Sequence, residues 1–275
     1  MSGVSDTTLE GAAAQLASLP PRFHVATTPS PGAVSLAALA DPAVARTLVM
    51  RHHAARRLDQ HPWRKPTVPT QIAASLTVQG IAMRLGGSVL AALALHRTLL
   101  RVRPEDIHIA ATGPMFDIAI SAASVSQVDD RDDALTAWAE HWLDGHFRTL
   151  VDDVAAAHRV GAALLWGNVA SAVAASFVFF DWWSPSSDAR GWAERALEFG
   201  APPLGRSSSL ADVTVRGRTG LRSERSSCCL AKLIPDGHIC PTCPKVSDAE
   251  RRAITAEHVE HLFAVRDGAR RPGPG

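Results

Sequence analysis

Between Arg159 and Asp181 lie 21 consecutive uncharged residues, and this run limits the fold more than any other part of the chain. A helix of that length is long enough to cross a bilayer. The run contains Gly161, Gly167, Asn168, Ser171, Ser176 and many alanines, and it continues directly from the charged stretch Asp152 to Arg159. Such a composition suits a core helix enclosed by its neighbours better than a helix facing lipid. A globular protein of one or two domains is therefore expected, and 275 residues with 46% hydrophobic content can bury the core it needs.

The formal charge is +1, from 28 basic and 27 acidic residues, which gives no reason to expect a nucleic-acid partner or a polybasic membrane anchor. Met1 to Ser18 carries Asp6 and Glu10 and lacks the features of a secretory signal, so a cytoplasmic location is expected. In that reducing compartment, four cysteines within 16 residues read as metal ligands rather than as two disulfides.

Four stretches follow from the patterning. Residues 1–68 are broken by prolines from Pro20 to Pro66 and should form short helices and a loop. Residues 69–215 read as a helical core with a β-hairpin. Within it, apolar residues from Thr70 to Leu100 recur at helical spacing, with Gly86-Gly87 as a break between two helices. Ile107 to Gln127 alternates around Gly113-Pro114, the hairpin signal. Two long helices follow, Ala134 to His158 and Val160 to Phe180, then a short one around Ala189 to Phe199. Residues 216–246 carry the cysteines, with Asp212 to Arg218 and Leu221 to Leu233 extended. Residues 247–275 should give a helix, capped by Ser247 with Glu250 at the capping-box position, and a disordered tail from Arg266.

The cysteines stand as Cys228-Cys229, ten residues, then Cys240-Pro241-Thr242-Cys243. A C-x2-C turn lets two thiolates face one ion, as zinc and iron–sulfur sites require. Adjacent side chains on a strand point to opposite faces, so Cys228 and Cys229 share a site only where the backbone bends or the strand ends. Pro235-Asp236-Gly237 supplies a turn that brings the two pairs together. The spacing leaves open an iron–sulfur cluster, a structural zinc site and redox-active thiols.

This cysteine pattern, preceded by Arg225-Ser226-Ser227 and followed by Pro244, resembles that of the FhuF family of ferric-siderophore reductases. Leu164-Leu165-Trp166-Gly167-Asn168-Val169-Ala170 is similar to the Trp-Gly-Asn segment of that family's helical core. The likeness spans roughly residues 60 to 246. It implies a [2Fe–2S] cluster on Cys228, Cys229, Cys240 and Cys243. It also implies an oxidoreductase that reduces siderophore-bound Fe(III) by one electron and releases Fe(II) in the cytoplasm. The fold expected is α+β: a mainly helical core, a small β-hairpin or sheet, and a C-terminal iron–sulfur loop region. The partners expected are a ferric siderophore and a separate electron donor; peripheral contact with an inner-membrane siderophore importer is compatible with this reading.

Arg222, Arg225 and Lys232 are candidate anchors for an anionic ligand, or else solvated or potential-tuning charges. The cysteine segment is expected near the surface, with Leu230, Leu233 and Ile234 facing inward. Two rival functions remain: a zinc-bound structural or interaction module, and a [2Fe–2S] electron carrier or redox sensor for another partner. Other motifs read as structural. His141 and His146, about 140° apart on an α-helix, should not share a face. His238 is a surface or outer-sphere residue rather than a Rieske ligand. Trp166, Trp182 and Trp183 belong to the core, and Asp129, Asp130, Asp132 and Asp133 form a solvated turn before a helix. No nucleophile elbow and no glycine-rich phosphate loop is present.

Overall fold

A computed structural model describes residues 8–60, 69–113, 115–184, 188–199, 204–234 and 239–269. The chain starts with α1 (Leu9–Ala17), whose first turn is capped by Thr8 Oγ1 accepting from the Gly11 amide at 3.1 Å. After β1 (Val34–Ser35) comes α2 (Pro42–Gln60), much longer than the short helices expected here. Pro42 occupies the first position, where its missing N–H costs nothing, and Asp41 Oδ1 accepts from the Ala43 amide at 2.7 Å.

The expected break at Gly86-Gly87 does not occur. Helix α3 (Thr70–Ile81) passes through a π-helical segment, Ala82–Gly86, straight into α4 (Gly87–His96), and both glycines hold right-handed helical dihedrals. The pair serves close packing instead. A Cβ on Gly86 would stand 3.1 Å from the Phe147 ring, and one on Gly87 would stand 3.2 Å from both Phe23 and Ser176. The helix stops at Arg97, which takes a left-handed conformation at φ 55°.

Strand β2 (Thr98–Arg101) replaces the last residues of the expected helix and is followed by β3 (Ile107–Ala110), β4 (Asp117–Ile120) and β5 (Ser124–Gln127). The hairpin expected around Gly113 is β3–β4, antiparallel with Ile107 opposite Ile120 and Ala110 opposite Asp117. Strand β1 pairs with the other edge of β3, while β2 and β5 form their own two-stranded sheet. Asp130 then caps α5 (Arg131–Trp138) by accepting from the Asp133 amide at 2.9 Å. A second π-helical segment, Ala139–Phe147, joins α5 to α6 (Arg148–His158) without interruption.

Helix α7 (Ala162–Trp183) is the axis of the fold: it packs against α3, α4 and α6, and also against α8 (Ala189–Phe199), β6 (Ser208–Val215), β7 (Arg218–Arg225) and α9 (Asp248–Ala269). Neighbours on every side explain why it is apolar on every side. Thr70–His96 and α7 both have the length and composition of a membrane span, yet 78% of the apolar window of each is buried within the fold. Trp166 and Trp182 are buried in this core, and Trp183 packs against it. The whole is the mainly helical α+β arrangement expected, with small antiparallel sheets at its periphery.

Strands β6 and β7 join through Arg216 and Gly217, both at positive φ, the two-residue turn that matches strand twist. Extended structure ends at Arg225 rather than Leu233. At α9, Ser247 Oγ accepts from the Glu250 amide at 3.2 Å, as the capping pattern anticipates. The helix continues past Val265 to Ala269, because Arg266 lies over the Phe263 ring and donates to the Trp182 carbonyl. The rest of the expected disordered tail lies outside the described residues.

Candidate metal centre

The cysteine segment leaves the end of β7 and folds as a layer over α3 and α7. Leu230 adopts a left-handed conformation at φ 69°, so the chain bends immediately after the adjacent pair, and Cys228 Sγ accepts from the Leu230 amide at 3.4 Å. A short 3-10 turn, Ala231–Leu233, follows. The second pair forms the expected tight turn, with the Cys243 amide donating to the Cys240 carbonyl at 3.0 Å. The connection through Pro235, Asp236, Gly237 and His238 lies outside the described residues, and with it the role assigned to His238.

Cys229 and Cys240, from opposite halves of the layer, come together in one small apolar cluster on α3. The neighbouring sulfur and burial push the Cys229 thiol up, and the same neighbour holds Cys240 below the ordinary thiol range. Cys229 and Cys243 are buried, and Cys228 and Cys240 are partly exposed, so the layer has an accessible edge. Cys229 packs on Ile72 and Leu76 of α3, with Leu230, Ile234 and Cys240 around them. Leu233 does not face inward as expected. It is 58% exposed, because the 3-10 turn directs Leu230 and Ile234 to the core and Leu233 to solvent.

Polar links tie this layer to the helices. Ser75 Oγ donates to the Cys229 carbonyl at 3.0 Å, and Asn168 Nδ2 donates to the Ser75 carbonyl at 2.8 Å. Asn168 Oδ1 in turn accepts from Arg225 Nη2 at 2.8 Å. One residue earlier, Gly167 lets Ser227 sit directly on α7: an added Cβ would overlap Ser227 Oγ and stand 3.1 Å from Ser227 Cβ. The Trp-Gly-Asn segment and the Arg-Ser-Ser-Cys-Cys segment, 57 residues apart between Asn168 and Arg225, are thus two sides of one contact.

Arg225 is 5% exposed, and its Nε and Nη1 have no hydrogen-bond partner among the described residues, although it stands close enough to favour the anionic forms of Cys229 and Cys240. A buried guanidinium with unsatisfied donors beside sulfur is an environment that calls for negative charge on the sulfur side. The donor set therefore fits a thiolate-ligated metal group. Among the described residues, no three His, Cys, Asp or Glu side chains stand close enough together to hold a single ion.

The three basic residues singled out in the sequence separate. Arg222 is 4% exposed and donates to Asp248 at 2.8 Å and to Glu224 at 2.7 Å, which fixes the start of α9. Arg225 faces inward as described, and Lys232 is exposed. A bulky ligand approaching from solvent therefore meets Lys232 but neither guanidinium. Sequence reasoning did not single out Ser75, Arg22 or Arg56 near this layer. Ser75 carries no local signal, since its partner Cys229 lies 154 residues away.

The histidine pair needs a correction. His141 and His146 do share a face, their Nε2 atoms 3.2 Å apart. They lie in the π-helical segment, where the i→i+5 ladder brings the fifth residue back nearly over the first. His141 Nε2 accepts from the Val102 amide at 2.9 Å and His146 Nε2 donates to the Val102 carbonyl at 2.9 Å, so the pair clamps the chain beyond β2.

The four cysteines, two buried and two partly exposed, thus lie in one layer on a mainly helical α+β core. No protein-family model matches this chain, and no curated protein matches it.

Proposed function

We propose that this protein carries a [2Fe–2S] cluster on Cys228, Cys229, Cys240 and Cys243 and reduces ferric siderophores in the cytoplasm, taking electrons from a separate donor. The observation that carries the reading is the packing of Cys229 and Cys240 in one cluster near buried Arg225, two of whose donors have no partner among the described residues. The similarity of the cysteine and Trp-Gly-Asn segments to the FhuF family supports it, and those two segments are the ones in contact.

When bound, the cluster supplies one-electron transfer, its potential set by charge and hydrogen bonds around the sulfurs. The chain's own residues set that environment. Arg225 contributes a desolvated positive charge, the Leu230 amide donates toward Cys228 Sγ, and the Thr242 hydroxyl lies 3.5 Å from Cys240 Sγ. Ser75 and Asn168 fix the carbonyl of Cys229 and with it the placement of the pair. The substrate's hard oxygen donors suit Fe(III) better than Fe(II), so one-electron reduction loosens the chelate and lets iron pass to other ligands. The partly exposed Cys228 and Cys240 supply the open edge that a bulky chelate requires.

The test is anaerobic purification followed by visible spectroscopy, iron and sulfide analysis, and stopped-flow reoxidation of the reduced protein. A red-brown protein that bleaches on reduction and is reoxidised faster by ferric siderophores than by buffer is expected. A colourless zinc protein overturns the proposal. A cluster indifferent to ferric siderophores leaves an electron carrier or sensor in its place.

A further inference from the structure

A groove of about 810 Å³ opens beside the cysteine layer, bounded by α3 and its π-helical extension, by α7 and by α9, with Cys229 and Cys240 in its wall. The volume lies in the range of small-molecule sites. Its charged lining is unbalanced: Arg22, Arg56 and Arg84 against Glu257 alone. Arg84 is committed to the fold, donating to the carbonyls of Phe116 at 2.7 Å and Pro21 at 2.8 Å. Arg22 and Arg56 are not. Neither has an ion-pair partner among the described residues, and the buried Nε of Arg22 has no hydrogen-bond partner. The Arg22 guanidinium lies over the Phe179 ring at 3.8 Å, and burial pulls its pKa down to about 10, the mark of a desolvated cation without a compensating acid. The open side is apolar, with Met83, Met115 and Ile239 exposed at 40%, 51% and 40%.

Resting on the function proposed above, we infer that this groove docks the ferric chelate and that Arg22 and Arg56 select chelates of net negative charge over neutral ones. Two cations without an ion-pair partner among the described residues, in a partly dry groove, favour an anion strongly and leave a neutral ligand of the same shape to the apolar rim alone. The groove wall holds Cys229 and Cys240, so a chelate seated there lies next to the cysteine layer.

Gallium(III) has the charge and oxygen preference of Fe(III) but is not reduced under these conditions, so its chelates read binding without electron transfer. The experiment titrates the purified protein with a gallium tris-catecholate trianion and with a neutral gallium tris-hydroxamate, following tryptophan fluorescence or heat. The trianion should bind about tenfold or more tighter than the neutral chelate. Raising salt from about 0.05 to about 0.5 M should erode that preference. The Arg22→Gln/Arg56→Gln double variant should lose it while keeping the neutral affinity, and Arg22→Lys/Arg56→Lys should recover most of it. Equal affinity of the wild type for both chelates, or a salt-independent preference, overturns the inference, as does a folded double variant that keeps the preference. The salt series on the wild type decides the matter if the variants do not fold. Charge-selective binding by a protein that moves no electrons would sink the reductase reading and leave the anion site standing, whereas electron transfer without charge selectivity would do the reverse.

Discussion

Asn168 on α7 accepts from Arg225 Nη2 at 2.8 Å while its own amide nitrogen donates to Ser75 at the carbonyl and the hydroxyl. A single buried side chain thereby joins the end of β7, the core helix and α3. Because a carboxamide offers one acceptor and a two-proton donor in fixed geometry, neither leucine nor aspartate can make both halves of the link.

Asn168→Ala should therefore cost about 3 kcal/mol, since it strands a buried guanidinium and removes bonds to Ser75. Urea unfolding followed by tryptophan fluorescence measures it. A loss below about 0.5 kcal/mol would show that Arg225 finds another partner.

Gly167→Ala places a methyl group where Ser227 now sits and should destabilise by about 1–3 kcal/mol. The double variant Gly167→Ala/Ser227→Gly should recover part of that loss, because it reopens the space. Additive effects in the double-mutant cycle would disprove the contact.

Cys→Ser substitution at each of the four positions should lower iron and sulfide content together, since each thiolate completes the ligand set proposed. Full occupancy in Cys228→Ser would remove that residue from the set. Acid-labile sulfide and iron assays on anaerobically purified variants give the answer.

His146 carries a pH signature. Burial, with His141 alongside, lowers its pKa from 6.5 to about 4. Above pH 6.5 the imidazole is neutral both folded and unfolded and contributes no slope. As pH falls from 6.5 toward 4 the unfolded chain takes up the proton first, so stability should drop by roughly 3 kcal/mol over that window. Denaturant midpoints from pH 7 to pH 4 measure the slope, and His146→Phe should flatten it. An unchanged slope in that variant would assign the acid sensitivity to other groups.

The sequence was legible where local rules and tertiary packing agree. The alternation from Ile107 to Ile120, the Ser247–Glu250 cap and the boundaries of α8 all follow from side-chain periodicity and backbone chemistry. Two kinds of feature escaped. Helical spacing of 100° per residue has no place for a π-helical segment and so kept His141 away from His146, while the glycine pair Gly86-Gly87, a breaker by its backbone freedom, is held in a continuous helix by close packing. Arginines default to the surface in any sequence reading, yet Arg222 and Arg225 are buried because Asp248 and Asn168 come to them from distant elements, with Glu224 beside Arg222 on β7 itself. The Trp-Gly-Asn segment drew notice only through resemblance, and its contact with Ser227 and Arg225 could not be read from spacing.

The links that hold the cysteine layer are among the longest-range side-chain hydrogen bonds between described residues, 154 residues from Ser75 to Cys229 and 93 from Asn168 to Ser75. On a ribosome the receiving surface of α3 and α7 emerges first, and the cysteines follow it. Loop closure over such separations is slow compared with helix formation. The nascent chain therefore passes through a stage in which α3 and α7 are already made while the four thiols that come to rest on them are still open. Oxidants, chaperones and metal donors alike meet them before the fold closes over them.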